Sequence, residues 1–408
     1  MPGFRHLYIH FRKYGFSHTT LYTLSLMIFF WGIFDGILSY ATPLILTQAG
    51  LSKSVMGVII GMSSVAGAGF DFIVSKYFPT TSFRRLYLLM FAMCFVYPLI
   101  LWQAKAIWLF FIAMALWGFY YDLQNFSIFD FVKQNTKTTE HSSSFGVISV
   151  FKSLGYLIAP IMAGLVIGTM VDWPIFLLAW IFLFFSYFCF LILMYVTSEK
   201  KLNQQVIQKK STVWAELATW KRIGKIILPV LVCTLFLNII DSFFWTIGPL
   251  FSESLTNLHP LGGLFVSVYI LPGLFVGWIV GKVTHIYGKK RVAFASLLVS
   301  SLFLAMIGFV HNVILILIIV FLFAALNSLA WPAIKGAFAD YISESTQSRE
   351  IEGLEDFFTN IGYVVGPISA GFMADTFGNG GAFSLLGFLG VGIAVLLLLV
   401  TPKHLKVS

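Results

Sequence analysis

The chain has 408 residues, of which 59% are hydrophobic and only 11% charged. Soluble domains carry about 25% charged residues, so a water-soluble fold is excluded. Apolar runs of about 20 residues recur along the whole length, which indicates an all-α polytopic membrane protein. The net charge of +9 invites a nucleic-acid partner, but the location of the basic residues argues against one.

Twelve spans are expected, at 19–48, 54–77, 86–103, 107–132, 145–168, 174–197, 226–252, 261–284, 292–310, 313–339, 351–374 and 381–401. Residues 1–20 lack an apolar stretch followed by a small-residue cleavage site, so no cleavable signal peptide is expected. Of the 26 Lys and Arg, all but Lys53, Lys105, Lys152 and Lys335 gather at one set of alternating ends. These ends include the N-terminus, the turn with Arg84 and Arg85, the stretch 198–225 and the turn with Lys289, Lys290 and Arg291. The positive-inside rule then places both termini in the cytoplasm. The basic charge reports orientation in a bilayer, in a plasma or inner membrane, and implies no acidic partner.

The first span, at Ile33–Leu44, reads IFDGILSYATPL. An ionised carboxylate at bilayer depth costs roughly 2.5–3.5 kcal/mol even on lenient insertion scales, so Asp35 needs a reason. Ser39 and Thr42 follow it at helical spacings and make one polar stripe. The second span holds Asp71, and the fourth holds Asp122, Asn125 and Asp130. The fifth carries Lys152, which could neutralise Asp122 or Asp130. The polar segment 198–225 separates six spans from six and reads as a cytoplasmic linker, with an amphipathic interfacial helix around Trp214–Trp220. Beyond it, the seventh span carries Asn238, Asp241, Ser242 and Trp245 on one face, and the tenth carries Asn327, Trp331 and Lys335 at spacings of four. Lys335 lies within reach of Glu352, Glu355 or Asp356 on the eleventh. Pairs of this kind at the cytoplasmic mouth are expected to act as gates or structural ties, together with Asp71 as a relay acid or gate partner.

The halves repeat. A shift of 206 residues carries Asp35 onto Asp241, Pro43 onto Pro249, Gly57 onto Gly263, Gly67 onto Gly273, and Arg84–Arg85 onto Lys290–Arg291. A shift of 207 carries Gly146, Gly155, Pro160 and Gly164 onto Gly353, Gly362, Pro367 and Gly371. The chain therefore reads as a duplicated six-helix unit in parallel orientation: 1–197, a linker at 198–225, and 226–408.

A parallel six-plus-six repeat resembles the major facilitator superfamily of secondary transporters, and local motifs strengthen the resemblance. GKVTHIYGKK at 281–290 is similar to that family's signature G-x-x-x-D-R-x-G-R-R, with Gly281, Gly288, Lys289 and Lys290 in register. His285 stands at the acid position and Ile286 at the first basic one. The first-half copy, SKYFPTTSFR at 75–84, lacks both glycines and the acid. Residues 146–164 and 353–371 resemble the glycine–proline motif of the superfamily's antiporters, with Gly366 at the alanine position of the second copy. Small residues let helices approach closely, and proline bends a helix.

The resemblance implies that the first, fourth, seventh and tenth helices line a central cavity. Asp35, Asp241, Asp122, Asn125, Asn238, Trp245, Asn327 and Trp331 would then face substrate or protons. A carboxylate in such a cavity can load and release a proton or cation as access alternates. No arginine lies within any span, which disfavours phosphate esters and oxyanions. Together with aromatics near the polar stripes, this favours cationic, zwitterionic or amphipathic organic solutes. The leading expectation is a monomeric, proton-coupled antiporter exporting such compounds. A proton symporter or facilitator for a neutral metabolite such as a sugar or nucleoside is the alternative. The eight histidines show no metal-ligand spacing, the three cysteines form neither a zinc site nor a disulfide framework, and no phosphate-cradling loop is present. An enzyme, a metal, a cofactor and direct ATP-driven pumping are therefore not expected.

Overall fold

The computed structural model describes residues 19–77, 82–136, 141–168, 170–197, 213–344 and 348–401. The side chains of 71–77, 141–143, 213–219, 277–278, 343–344 and 348–349 fall outside that description. The first half contains α1 (Thr19–Gln48), α2 (Lys53–Tyr77), α3 (Phe83–Gln103), α4 (Ile107–Asn135), α5 (His141–Val166) and α6 (Trp173–Val196). The second contains α7 (Val213–Thr246), α8 (Gly248–Thr256), α9 (Phe265–Ile270), α10 (Gly273–Tyr287), α11 (Lys289–Met306), α12 (Val313–Glu344) and α13 (Ser348–Val400), with short 3-10 turns at Pro260–Leu264 and Ile307–Phe309. Helix is the only regular way to satisfy the backbone of so apolar a chain short of a closed barrel. Hydroxyls inside the spans are satisfied the same way: Ser25, Thr42 and Ser127 each donate to the carbonyl four residues earlier, at 2.8, 2.7 and 2.6 Å.

Three elements differ from the sequence reading. The amphipathic stretch around Trp214–Trp220 is not a separate interfacial helix but the first turns of α7, which runs unbroken to Thr246. The eighth span is broken into a 3-10 turn, α9 and α10, with Pro272 at the start of α10, because proline supplies no amide to continue the ladder. The last two spans form one element, α13, interrupted at Gly378 (φ 73°, ψ 169°).

Among the described residues, ten helices are long and apolar enough to cross a membrane, or up to 11 with the bent eighth span included. One of the ten, Glu350–Val400, has 51 residues. At 1.5 Å per residue it would be about 75 Å long, more than twice the hydrocarbon thickness of about 30 Å. It therefore has to turn, and Gly378 is where the positive φ permits it.

Within the first half, α1 packs against α5 and α6, and α4 against α2 and α3; within the second, α13 packs against α7 and α11, and α12 against α10 and α11. The two main contacts between the halves are α2 against α13 and α5 against α9 and α10, and α1 also touches α7 and α8. Both main contacts are strongest at the ends away from the basic turns. There Gly57 lies against the carbonyl of Pro367, Gly61 against that of Val364, and Gly371 against that of Lys53. Asp375 of α13 caps α2, accepting from the amides of Lys53 and Ser54 at 3.1 and 2.8 Å and from Ser54 Oγ at 2.6 Å. Lys53 Nζ reaches back to Asn379 Oδ1 at 2.8 Å. Ser267 of α9 donates to the carbonyl of Leu157 of α5 at 3.1 Å. Lys53 Nζ also donates to the Ala374 carbonyl at 3.4 Å. At the basic end the side chain of Lys335 is 53% exposed, and Glu352, Asp356 and Phe357 are exposed too.

Candidate functional site

Glycines set the geometry at the centre. A Cβ on Gly155 of α5 would lie 2.5 Å from the carbonyl of Phe29 on α1, and one on Gly36 would lie 2.6 Å from the Ala159 side chain. Only hydrogen at these positions lets α1 and α5 touch backbone to backbone. That contact brings the Tyr156 hydroxyl to Asp35, which is 1% exposed, at 2.5 Å. From α4, Trp117 Nε1 and Tyr120 donate to the other carboxylate oxygen at 2.9 and 2.6 Å. Asp35 therefore accepts three hydrogen bonds, from donors on two helices.

The second half repeats the construction. A Cβ on Gly362 of α13 would lie 2.5 Å from the Asn238 side chain of α7, and Gly366 is pressed against Ser242. Tyr363 donates to Asp241 at 2.8 Å, and Tyr269 of α9 donates to the other oxygen at 2.7 Å. Tyr156 and Tyr363 are related by the same shift of 207 that relates the glycines. Each half thus holds one aspartate, buried at Asp35 and half-buried at Asp241, by a tyrosine next to its motif glycine. The equivalence is incomplete, because α12 offers Phe323 and Leu326 where α4 offers Trp117 and Tyr120.

The halves meet at this level. The ring of Tyr156 packs edge-on against that of Trp245, with centroids 5.5 Å apart. Lys152, one turn before Tyr156 on α5, donates to Tyr121 Oη and Gln124 Oε1, both at 3.2 Å. Its ammonium lies 4.4 Å from the Tyr121 ring centroid, 5.4 Å from that of Trp31 and 6.0 Å from that of Tyr156.

The other expected residues sort by position. Lys152 pairs with neither of the acids proposed for it. Asp130 accepts from the Phe83 amide at 2.8 Å and from Gln134 at 2.7 Å, so it is held by the positive end of α3. The Asp122 carboxylate lies against Gly67 of α2, turned to a neighbouring helix. Asn238 donates to the Thr234 carbonyl at 2.8 Å and to Thr359 at 3.5 Å, facing α13. Asn327 is 3% exposed, and its Oδ1 has no partner among the described residues. Asn125 and Trp331 are half-buried on α4 and α12. Lys335 forms an ion pair with Glu355, while Glu352 and Asp356 are exposed beside it. The Asp71 side chain lies outside the described residues.

The motif positions divide as well. Gly155, Gly362, Gly366 and Gly371 are contact points, whereas a Cβ on Gly146, Gly164 or Gly281 would meet nothing within 4 Å. Gly353 faces the Trp220 ring. Pro160 and Pro367 lie inside α5 and α13. At the turn before α11, Gly288 takes φ 85°, and Lys289 pairs with Asp340 of α12 at 2.5 Å while Lys290 donates to Tyr341 at 2.9 Å. The loop is thus anchored to α12, and its own acid position, His285, is exposed.

The family model for the Major Facilitator Superfamily matches residues 24–283 and 230–408. The chain belongs to the major facilitator superfamily. It is 24% identical over 403 residues to Multidrug resistance protein 1 of Bacillus subtilis (strain 168), covering 95% of this chain and 98% of that one. Among solved structures, the nucleoside transporter NupG superposes with a TM-score of 0.72 at 14% identity, over 93% of this chain and 97% of that one. A bacterial homologue of the human lysosomal transporter Spinster, in an inward-facing and unoccupied conformation, gives 0.68 at 11% identity, over 93% and 94%. These structural likenesses establish the fold. As a superfamily member the protein is a membrane transporter of small molecules, not an enzyme.

Proposed function

We propose that the protein is a proton-coupled antiporter that exports cationic or amphipathic organic compounds by alternating access. The observation that carries this is the duplicated aspartate: Asp35, buried, and Asp241, half-buried, sit at equivalent places in the two halves, each held by a tyrosine from the equivalent helix. Both carboxylates lie where the halves meet, so rocking one half on the other changes which face can reach them. A carboxylate at that depth carries charge only at a cost, which suits a group that exchanges a proton for a substrate cation. Tyrosine and tryptophan rings around both acids supply apolar faces for an amphipathic body. The relationship to a protein named for multidrug resistance supports an exporting role.

The contacts between the halves at the end away from the basic turns fit an inward-facing state, with both termini in the cytoplasm, the protein in the plasma or inner membrane, and one chain enclosing its own site. Residues 1–197 and 226–408 would be the rocking units.

Purified protein in liposomes loaded with a pH-sensitive dye tests the proposal. A panel of cations, dyes, sugars and nucleosides is added to wild type, Asp35→Asn and Asp241→Asn. Proton counterflow driven by an amphipathic cation through wild type, and lost in at least one variant, is expected. Proton movement in the same direction as a sugar or nucleoside would establish symport instead. Flux independent of protons in all three proteins would remove both aspartates from the mechanism.

A further inference from the structure

We propose that Lys152 binds a carboxylate of the transported molecule, so that amphipathic zwitterions are the preferred substrates. This deepens the reading above and rests on it for the location of the site. Three formally charged side chains meet at the centre, and they are not equally satisfied. Asp35 accepts three hydrogen bonds and Asp241 two. Lys152 forms no ion pair with a carboxylate among the described residues: its partners are one phenol, one amide oxygen and three aromatic faces. Both of its hydrogen bonds are 3.2 Å long, at the weak end of the ordinary range. An ammonium has three donors, so one remains, and the two in use go to neutral groups that a carboxylate would outcompete with a charge-assisted bond.

The surroundings extend this point into a site. Tyr156, one wall of the lysine cage, packs its ring on Trp245 across the interface of the halves. Trp245 lies one helical turn beyond Asp241 on α7. An anion-binding ammonium, an aromatic surface and a carboxylate therefore follow one another from α5 to α7. Each oxygen of Asp241 accepts a single bond, which leaves acceptor capacity for a substrate cation. Asp35 has less, since one of its oxygens already accepts two. A solute with a cationic group alone would satisfy Asp241 but leave Lys152 with only its neutral hydrogen-bond partners. One carrying both charges on a flat apolar body satisfies all three elements.

The test uses rhodamine B, an amphipathic dye with a delocalised cation and a free carboxylate, and its ethyl ester, which keeps the cation and loses the carboxylate. Binding of each to full-length protein in detergent is read by fluorescence polarisation at one pH. Wild type is expected to favour the acid over the ester by about tenfold, the range of one charge-assisted hydrogen bond. Lys152→Gln should bind the two dyes equally, and Lys152→Arg should keep the preference. Equal binding by wild type, a preference that survives in Lys152→Gln, or loss of both dyes in Lys152→Gln would each overturn the proposal. So would failure of wild type to bind either dye. Because binding in detergent needs no gradient, the outcome is independent of proton counterflow. A retained carboxylate preference without counterflow would remove the antiport reading and leave Lys152 its role.

Discussion

Tyr156 and Tyr363 are the residues on which the two aspartates depend. Neither was singled out from the sequence, because a tyrosine in a chain that is 17% aromatic carries little information alone. The signal was nonetheless present: the pair Gly-Tyr occurs at 155–156 and again at 362–363, in register with the repeat. A hydrogen bond to a charged group contributes about 1.5–3 kcal/mol, so removing the Tyr156 hydroxyl should be felt by Asp35 in particular. Tyr156→Phe is expected to lower the melting temperature of the purified protein, and much less so when Asp35 is already Asn. A double-mutant cycle would show a coupling above about 0.5 kcal/mol. Strictly additive effects would mean that the 2.5 Å contact contributes nothing to the folded state.

Among the helices, the glycine–proline motif separates into positions that pack and positions that do not. Gly155 has the carbonyl of Phe29 and the amide of Ile33 within 2.5 and 3.0 Å of where its Cβ would be, whereas Gly146 has open space. Backbone cannot move aside as a side-chain tip can, so Gly155→Leu should force α1 and α5 apart and carry Tyr156 away from Asp35. Size-exclusion profiles of detergent extracts should show a monodisperse peak for Gly146→Leu and loss of that peak for Gly155→Leu. Sequence spacing alone assigned both glycines to one motif. It could not tell them apart, because the helix face that meets a neighbour is fixed by the packing of α1 rather than by anything in α5.

For the whole molecule, the decisive feature is the latch at the end away from the basic turns, where Asp375 caps α2 and Lys53 reaches Asn379. These bonds join the halves, and they must break before the site can open on that side. Asp375→Asn replaces a carboxylate at the positive end of α2 with a neutral amide, which removes roughly 0.3–1 kcal/mol of helix-dipole stabilisation and weakens the cap bonds. Spin labels at the exposed positions Ser52 and Thr376 should therefore report a larger population of long distances in this variant than in wild type. An unchanged distance distribution would mean that the latch has no part in holding this conformation. Glycine contacts behind it, at Gly57, Gly61 and Gly371, would then carry the closure unaided.

The sequence by itself determined that the chain is helical and membrane-spanning, that it is a tandem repeat, and that Asp35 and Asp241 occupy equivalent places, because hydropathy, repeat register and the cost of buried charge are properties of residues in order. It also put Lys335 within reach of Glu352, Glu355 or Asp356 without choosing among them, since residues near the ends of adjacent spans have few places to go; the pair with Glu355 is a matter of tertiary structure. Only the tertiary structure decided what surrounds the two aspartates, where Lys152 turns, and which end of the molecule is closed. Those depend on distances between helices far apart in the chain. The approach of α1 to α5, of α7 to α13 and of α2 to α13 is set by the absence of a Cβ at a few contact points, and a linear pattern shows the glycines without showing what they touch.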